Sequence, residues 1–110
     1  MFHYTDGKGY KAIVSQVVWL FKAFKPPGNR PKGAYFTTLL PGTKNLNKFL
    51  FGRGCADKTK FVFSFSGGSD LRQLRGGRGE YIYYSDLDYR VEKSRQGPHG
   101  ATDKVKEQLE

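Results

Sequence analysis

The stretch Lys58–Ser66, KTKFVFSFS, alternates phenylalanine with smaller residues and decides the class of fold. From residue 61 onward the odd positions hold Phe61, Phe63 and Phe65, and the even positions hold Val62, Ser64 and Ser66. Because successive side chains of a strand point to opposite faces of a sheet, this alternation predicts a β-strand with one aromatic face. The chain is therefore expected to contain a β-sheet, and the flanking stretches indicate of which kind.

The flanking stretches predict one helix followed by more strands. FHYTD at the start predicts a short strand, with Thr5 or Asp6 as the N-cap of a helix from about Asp6 to Gln16. The run VVWLF fits either a helix or a strand, because brief apolar runs suit both. Further elements are predicted as follows: strands at AYFTTL, EYIYY and LDYRVEK, a short helix from Thr43 to Gly52, and one helical turn around Leu71 and Leu74. This order indicates an α+β fold with a small, mainly antiparallel sheet.

The length of 110 residues suits one domain, and such a chain buries about two-thirds of its unfolded surface. Seventeen aromatic residues (7 Tyr, 9 Phe and 1 Trp) supply material for a core, which excludes disorder along the whole chain. Residues 1–96 are predicted to form the domain. Residues 97–110 lack core-forming periodicity and are predicted to be a flexible C-terminal tail.

Composition excludes several kinds of site. A single cysteine, Cys55, permits neither an internal disulfide nor a multi-cysteine zinc site. No stretch approaches the ~20 apolar residues of a membrane span, and the short path from Met1 to His3 leaves no room for a signal peptide. These features predict a protein of a reducing compartment such as the cytoplasm, or one exported by a leaderless route.

The net charge of +9 is concentrated in the first part of the chain. Residues 1–79 hold 14 basic against 3 acidic residues, whereas residues 80–110 hold 5 against 7. A field this positive attracts polyanions, and nucleic acid, anionic lipid and the pyrophosphate of a dinucleotide all qualify.

Three residues stand where chemistry is possible, although each alone has an ordinary structural interpretation. His3 lies on the first strand, Tyr35 follows Gly33 at the start of an aromatic strand, and Glu80 begins a strand. The stretch RGGRGEYIYYSD, residues 75–86, begins like an RNA-binding Arg/Gly tract and continues like a buried strand. We interpret its glycines as giving the loop freedom to enter that strand beside a ligand.

The order of three motifs resembles a known family. FHYTDGKGYKAIV, GAYFTTLLPG and GEYIYY are similar to the motifs of the H-Y-E/D group of ADP-ribosyltransferases, which includes the poly-ADP-ribose polymerases and the diphtheria-type toxins. The chain looks most like the small toxin-type subgroup with a His-Tyr-Asp signature. The resemblance spans about residues 2–89.

This resemblance implies a split, mainly antiparallel sheet with one or two short helices. It implies an enzyme that transfers ADP-ribose from NAD and releases nicotinamide, either as a mono-ADP-ribosyltransferase or as an NAD glycohydrolase. NAD is then the substrate, no metal is needed, and the acceptor is an unidentified protein or nucleic acid. A monomer is expected, in the cytoplasm or delivered as a toxin or effector.

The resemblance also implies roles for individual residues. His3 would hydrogen-bond the ribose hydroxyls, and Tyr35 would stack on or line the nicotinamide. Glu80 would bind the ribose 2′-hydroxyl and stabilise the oxocarbenium-like centre, since bond cleavage builds positive charge there. Thr5 would lie near the ribose or nicotinamide. The remaining NAD contacts expected are Tyr4, Gly33, Ala34 and Phe49.

The chain departs from the family pattern at two points. The subgroup signature has Asp where Glu80 is the best-placed acid, and Asp86 is its rival. Leu46 stands where the polymerases have a second stacking tyrosine, so Phe49 or Phe51 would have to supply that ring. Candidates for the pyrophosphate are Lys11, Arg53, Arg72, Arg75 and Arg78.

The same residues also fit two other functions. One is a basic, aromatic RNA- or ssDNA-binding module, which predicts binding that falls steeply with salt and does not depend on His3. The other is a non-catalytic protein that binds NAD or ADP-ribose without turnover.

Overall fold

The computed structural model describes residues 1–26, 30–50, 56–74 and 81–109. Within these ranges the strands are β1 Phe2–Thr5, β2 Trp19–Phe21, β3 Ala34–Thr37, β4 Phe61–Phe65, β5 Arg72–Gln73, β6 Ile82–Ser85, β7 Tyr89–Val91 and β8 Gln96–Ala101. The α-helices are α1 Gly7–Val14, α2 Leu46–Leu50 and α3 Thr102–Leu109, with 3₁₀ turns at Ala56–Thr59 and Lys93–Arg95.

The described strands form a six-stranded sheet in the order β5-β6-β3-β1-β4-β8 and a two-stranded sheet of β2 and β7. Every registered strand pair is antiparallel. The predicted α+β class, with a mainly antiparallel sheet and a few short helices, is thereby confirmed.

The central strand β1 pairs unequally with its two neighbours. It is in register with β4 at four positions, from Phe2↔Ser64 to Thr5↔Phe61. With β3 it is in register only at Phe2↔Thr37. The large sheet is therefore continuous from β1 to β4 but open between β1 and β3 beyond this pair.

Each face of the large sheet carries its own buried cluster. The first cluster fills the space between the two sheets, and Trp19, Phe21 and Val91 of the small sheet are at most 2% exposed. Phe63 and Phe65 belong to it, as the alternation of β4 predicts. The second cluster lies on the opposite face, where the large sheet meets α2 and α3, and it consists of Phe2, Tyr4, Leu46, Leu50, Val62, Ile82 and Val105.

The prediction of a frayed tail is wrong for residues 97–109. Residues of this segment complete β8, which pairs with β4 from Phe61↔Ala101 to Phe65↔Gln96, and then form α3. Val105 of α3 is fully buried. The sequence concealed both elements because β8 contains two glycines and a proline, and α3 contributes one buried residue.

Two smaller predictions are wrong, and one open alternative is decided. The helical turn expected around Leu71 and Leu74 is instead β5, whose Arg72 pairs with Tyr84 of β6. The second helix begins at Leu46 rather than Thr43, since Asn45 adopts a left-handed φ of 58°. The ambiguous run VVWLF becomes β2 because Trp19 and Phe21 find cross-strand partners in β7.

Candidate active site

The turn from β1 into α1 positions the first motif. The carboxylate of Asp6 accepts the N–H of Gly9 at 2.8 Å, so Asp6 is the N-cap. This bond, aided by the charge of Lys58 at 3.4 Å, lowers the pKa of Asp6. A Cβ at Gly9 would lie 2.1 Å from the Thr5 hydroxyl oxygen. Gly9 therefore lets the first turn of α1 close over Thr5.

His3 lies in an aromatic pocket on the face between the two sheets. Its ring centre is 4.6 Å from that of Phe21, 5.6 Å from Phe36 and 6.5 Å from Phe63. Nδ1 lies 2.9 Å from the carbonyl oxygen of Tyr35. Burial lowers the pKa of His3 to about 4, although the bond to this carbonyl opposes the shift. The ring is thus neutral at pH 7.

The tautomer of His3 follows from its partner. A carbonyl oxygen only accepts hydrogen bonds, so Nδ1 carries the proton and donates it to Tyr35. In the neutral ring Nε2 is then an acceptor. The expectation that His3 hydrogen-bonds a ribose hydroxyl therefore takes a definite form, in which the hydroxyl donates to Nε2.

The side chain of Tyr35 lies on the other face of the large sheet. Its ring stacks on Tyr84 with centres 5.6 Å apart and planes at 22°, and it packs against the second cluster. The hydroxyl donates to the carbonyl of Pro31, and burial raises the pKa of Tyr35. His3 and Tyr35 are thus linked by a hydrogen bond to the Tyr35 carbonyl, whereas their rings lie on opposite faces of the large sheet.

Other expected NAD contacts have structural roles. Tyr4 is 5% exposed, donates its hydroxyl proton to the Leu39 carbonyl at 2.8 Å, and has its pKa raised by burial. Ala34 is buried in the first cluster. At Gly33 a Cβ would lie 2.6 Å from the Ser85 carbonyl oxygen, so this glycine admits the backbone of β6. Leu46, at the second tyrosine position, is buried in the second cluster.

Glu80 lies outside the described residues, but the residue that follows it is firmly anchored. The carbonyl of Tyr81 accepts the hydroxyl proton of Thr37 at 2.5 Å and the N–H of Thr38 at 3.3 Å. Phe49 meets the ring of Tyr81 edge-on, with centres 6.2 Å apart. Thr37 is 2% exposed, and the sequence alone did not mark it as part of the site.

The rival acid Asp86 forms an ion pair with one of the cationic candidates. Asp86 is half exposed, and its carboxylate is 3.3 Å from the guanidinium of Arg72. Lys11 is exposed in the last turn of α1. Arg53, Arg75, Arg78, Phe51 and Cys55 lie outside the described residues.

The three motif strands are nevertheless neighbours at the centre of the large sheet. β3 pairs with β6 from Ala34↔Ser85 to Thr37↔Ile82, and Thr37 also faces Phe2 of β1. His3 and Ile82 are far apart in the chain, so this adjacency is a property of the fold. The ring of Phe21 is close to His3, but the sequence did not mark Phe21 as a neighbour of the site. Its apolar run is compatible with both a helix and a strand, so the direction of its side chain could not be predicted.

A separate open cleft of about 400 Å³ lies beside α2 and α3. It is lined by Gly42, Thr43, Asn45, Leu46, Asn47, Thr59, Lys60, Ala101, Thr102 and Asp103. Among the described residues that the resemblance concerns, Leu46 contributes to this lining, whereas His3 and Tyr35 do not. Its lining combines one cation, one carboxylate and several neutral polar groups, which selects no ligand class.

Comparison with protein-family models, curated proteins and solved structures finds no match to this chain. Among the helices of the described ranges, none combines the length and apolar character of a membrane span. The same ranges contain no group of three His, Cys, Asp or Glu side chains arranged to hold a metal ion.

Proposed function

We propose that this protein is an NAD-dependent ADP-ribosyltransferase, which transfers ADP-ribose to a macromolecular acceptor and releases nicotinamide. The observation that carries the proposal is the contact between motifs remote in sequence: Nδ1 of His3 lies 2.9 Å from the Tyr35 carbonyl, and β6, which follows Glu80, is the next strand. The opening of the sheet between β1 and β3 agrees with the split sheet that the resemblance implies.

His3 binds the substrate as a neutral, oriented acceptor. Its Nδ1–H is held by the Tyr35 carbonyl, and its ring is held by Phe21 and Phe36. Nε2 then accepts a hydrogen bond from a ribose hydroxyl of NAD. Because ring orientation and tautomer are set before binding, less entropy is lost when the substrate is bound.

Glu80 supplies the negative charge that the reaction needs. The bond between C1′ of the ribose and the nicotinamide nitrogen breaks, and its electron pair leaves with nicotinamide. A fixed carboxylate stabilises the positive charge that develops on the ribose. The acceptor then forms the new bond at C1′ and loses a proton, or water does so in the glycohydrolase reaction. Tyr81, the residue after Glu80, is held to β3 by the two hydrogen bonds that its carbonyl accepts from Thr37 and Thr38.

Tyr35 acts in this proposal through its backbone. Its carbonyl orients His3, whereas its ring stacks on Tyr84 and faces the second cluster. The family role of this ring, a wall for nicotinamide, stays a prediction. The variant Tyr35→Phe keeps both the carbonyl and the ring, so it is expected to retain activity.

The test is nicotinamide release from NAD by the wild type and by Glu80→Gln. Removing one preorganised electrostatic contact costs about 100-fold or more in rate, and we expect such a loss. Glu92→Gln, an exposed acid beyond β7, is the matched control and should stay near the wild-type rate. A loss of only a few-fold in Glu80→Gln, with a large loss in Asp86→Asn, would transfer the role to Asp86. Absence of turnover with protein, nucleic acid and water as acceptors would contradict the proposal.

A further inference from the structure

The segment that joins β2 to β3 presents an exposed ring among cations. Phe24 is 50% exposed, and residues 22–33 carry four basic and no acidic residues. Lys22 and Lys32 are exposed, and Arg30 is partly buried. We call Lys22, Phe24, Arg30 and Lys32 the β2–β3 surface.

The ring of Phe24 is held in place although it faces solvent. The backbone of Phe24 exchanges two hydrogen bonds with Gly33, at 3.0 and 2.9 Å. The ring meets Tyr35 edge-on, with centres 6.1 Å apart, and Tyr35 in turn stacks on Tyr84. A continuous aromatic column therefore leads from the sheet to an exposed end at Phe24.

Lys22, Arg30 and Lys32 lie close to Phe24 along the chain or next to its partner Gly33, and the ion pairs found between described residues do not include them. Arg30 lies 6.0 Å from the ring centre of Tyr35, and it donates to the Leu50 carbonyl at 3.3 Å, which holds the guanidinium without cancelling its charge. The ion pairs found between described residues are Lys58–Asp6, Lys60–Asp57 and Arg72–Asp86. None of these pairs includes a residue of the β2–β3 surface.

Two carboxylates near this end of the molecule have partners of different kinds, a backbone N–H for Asp88 and a guanidinium for Asp86. Asp88 accepts the N–H of Ala23 at 2.7 Å, which fixes the end of β2 against the start of β7. Asp86 pairs with Arg72. Asp88 keeps its negative charge, because its partner here is a neutral N–H. The three cations of the β2–β3 surface and Asp88 together carry a formal charge of +2, three positive charges against one negative.

We propose that the β2–β3 surface binds a single-stranded polynucleotide, with one base stacked on Phe24 and the flanking phosphates held by Lys22, Arg30 and Lys32. An exposed ring among cations matches a strand that presents unstacked bases and regularly spaced phosphates. A duplex keeps its bases stacked inside and offers Phe24 no base face. This binding does not depend on whether the chain turns over NAD.

The test is fluorescence anisotropy of the full chain with labelled 20-nucleotide oligouridine and oligothymidine strands and with a duplex of the same length, each titrated at several salt concentrations. The wild type should bind both single strands more tightly than the duplex, and the two single strands report any contribution of the 2′-hydroxyl. Phe24→Ala should weaken single-strand binding about tenfold, the scale of one lost base stack. Phe24→Trp keeps a stacking ring and should restore binding, which separates stacking from folding.

A pair of matched double variants tests the cations. Lys22→Gln with Lys32→Gln should reduce the slope of log affinity against log salt by about 1.4, since each phosphate contact to a single strand contributes about 0.7. Lys44→Gln with Lys104→Gln makes the same charge change at exposed lysines outside the β2–β3 surface and should reduce the slope much less.

Three results would overturn the proposal. They are equal weakening by both double variants with no effect of Phe24→Ala, duplex binding as tight as single-strand binding, and Phe24-dependent binding to vesicles of anionic lipid without binding to the oligonucleotides. Nicotinamide release measured on the same preparations reports the proposed enzymatic function independently.

Discussion

His3 shows how one side chain combines a structural and a chemical role. Its aromatic surroundings exclude the charged form, and its bond to the Tyr35 carbonyl selects the tautomer. A histidine on a first strand is ordinary by sequence alone. What makes this one a candidate is that its tautomer is defined and that it lies where β1 and β3 separate.

The lowered pKa of His3 predicts a pH-dependent stability. Above the unfolded pKa of 6.5 the ring is neutral in both states and has no effect. Between pH 6.5 and about 4 the unfolded chain binds a proton that the folded chain does not. The free energy of unfolding therefore decreases as the pH is lowered through this window. The loss is complete below about pH 4 and amounts to at most roughly 3 kcal/mol.

Urea denaturation from pH 7.5 to 4.5 measures this loss, with His3→Gln as the variant that cannot titrate. The slope of stability against pH in this window should flatten in His3→Gln. Asp6, whose pKa is lowered from 3.8, affects stability mainly at lower pH and is common to both proteins. Identical slopes in the two proteins would show that His3 titrates alike in the folded and unfolded states.

At the scale of single elements, α3 is the one whose importance the sequence hid. Val105 is its buried residue, and it packs in the second cluster with residues of the large sheet and α2. The N–H of Thr102 donates to the Lys60 carbonyl at 2.9 Å, which fixes where the helix begins. These contacts make the C-terminal segment part of the core.

We therefore expect Val105→Ala to lower the free energy of unfolding by about 2 kcal/mol, through lost apolar burial and the cavity left behind. Val17→Ala removes the same two methyl groups from a residue that is 76% exposed, and it should change stability by less than about 0.5 kcal/mol. Chemical denaturation measures the free energy of unfolding of both variants and of the wild type. Equal small effects would mean that α3 does not pack on the sheet in solution.

The elements that sequence patterns predicted well are those with a strong local signal. The aromatic alternation of β4 and the cap of α1, predicted at Thr5 or Asp6 and found at Asp6, both follow from residues close together in the chain. β5 and β8 lack such a signal, since β5 is two exposed residues and β8 contains Gly97, Pro98 and Gly100. They are strands because β6 and β4 offer them backbone partners, which no local pattern reports.

At the scale of the whole molecule, the net charge of +9 produces repulsion between charges on all parts of the surface when the salt concentration is low. The molecule measures 32 × 28 × 24 Å, and the Debye length at about 0.01 M salt is about 30 Å, so all charges then interact. Raising salt to about 0.15 M shortens that length to about 8 Å and screens the mutual repulsion. We expect the melting temperature at pH 7 to rise by about 5 °C, equivalent to about 1 kcal/mol.

Thermal melts at the two salt concentrations measure this effect. In the variant Lys44→Glu with Lys104→Glu the net charge falls from +9 to +5, and the salt-induced rise should be smaller. A rise of the same size in both proteins would assign the salt effect to something other than net charge.

The sequence by itself determined the class of fold, the strongest elements and the identity of the motif residues, because these depend on spacing within short segments. Only the tertiary structure decided which side chains share a face. The alternation within β1 and β3 is local, but their relative placement depends on the single register pair Phe2↔Thr37 and on the two clusters that the sheet separates. That register sends the His3 ring and the Tyr35 ring to opposite faces and leaves the Tyr35 carbonyl as the link between them.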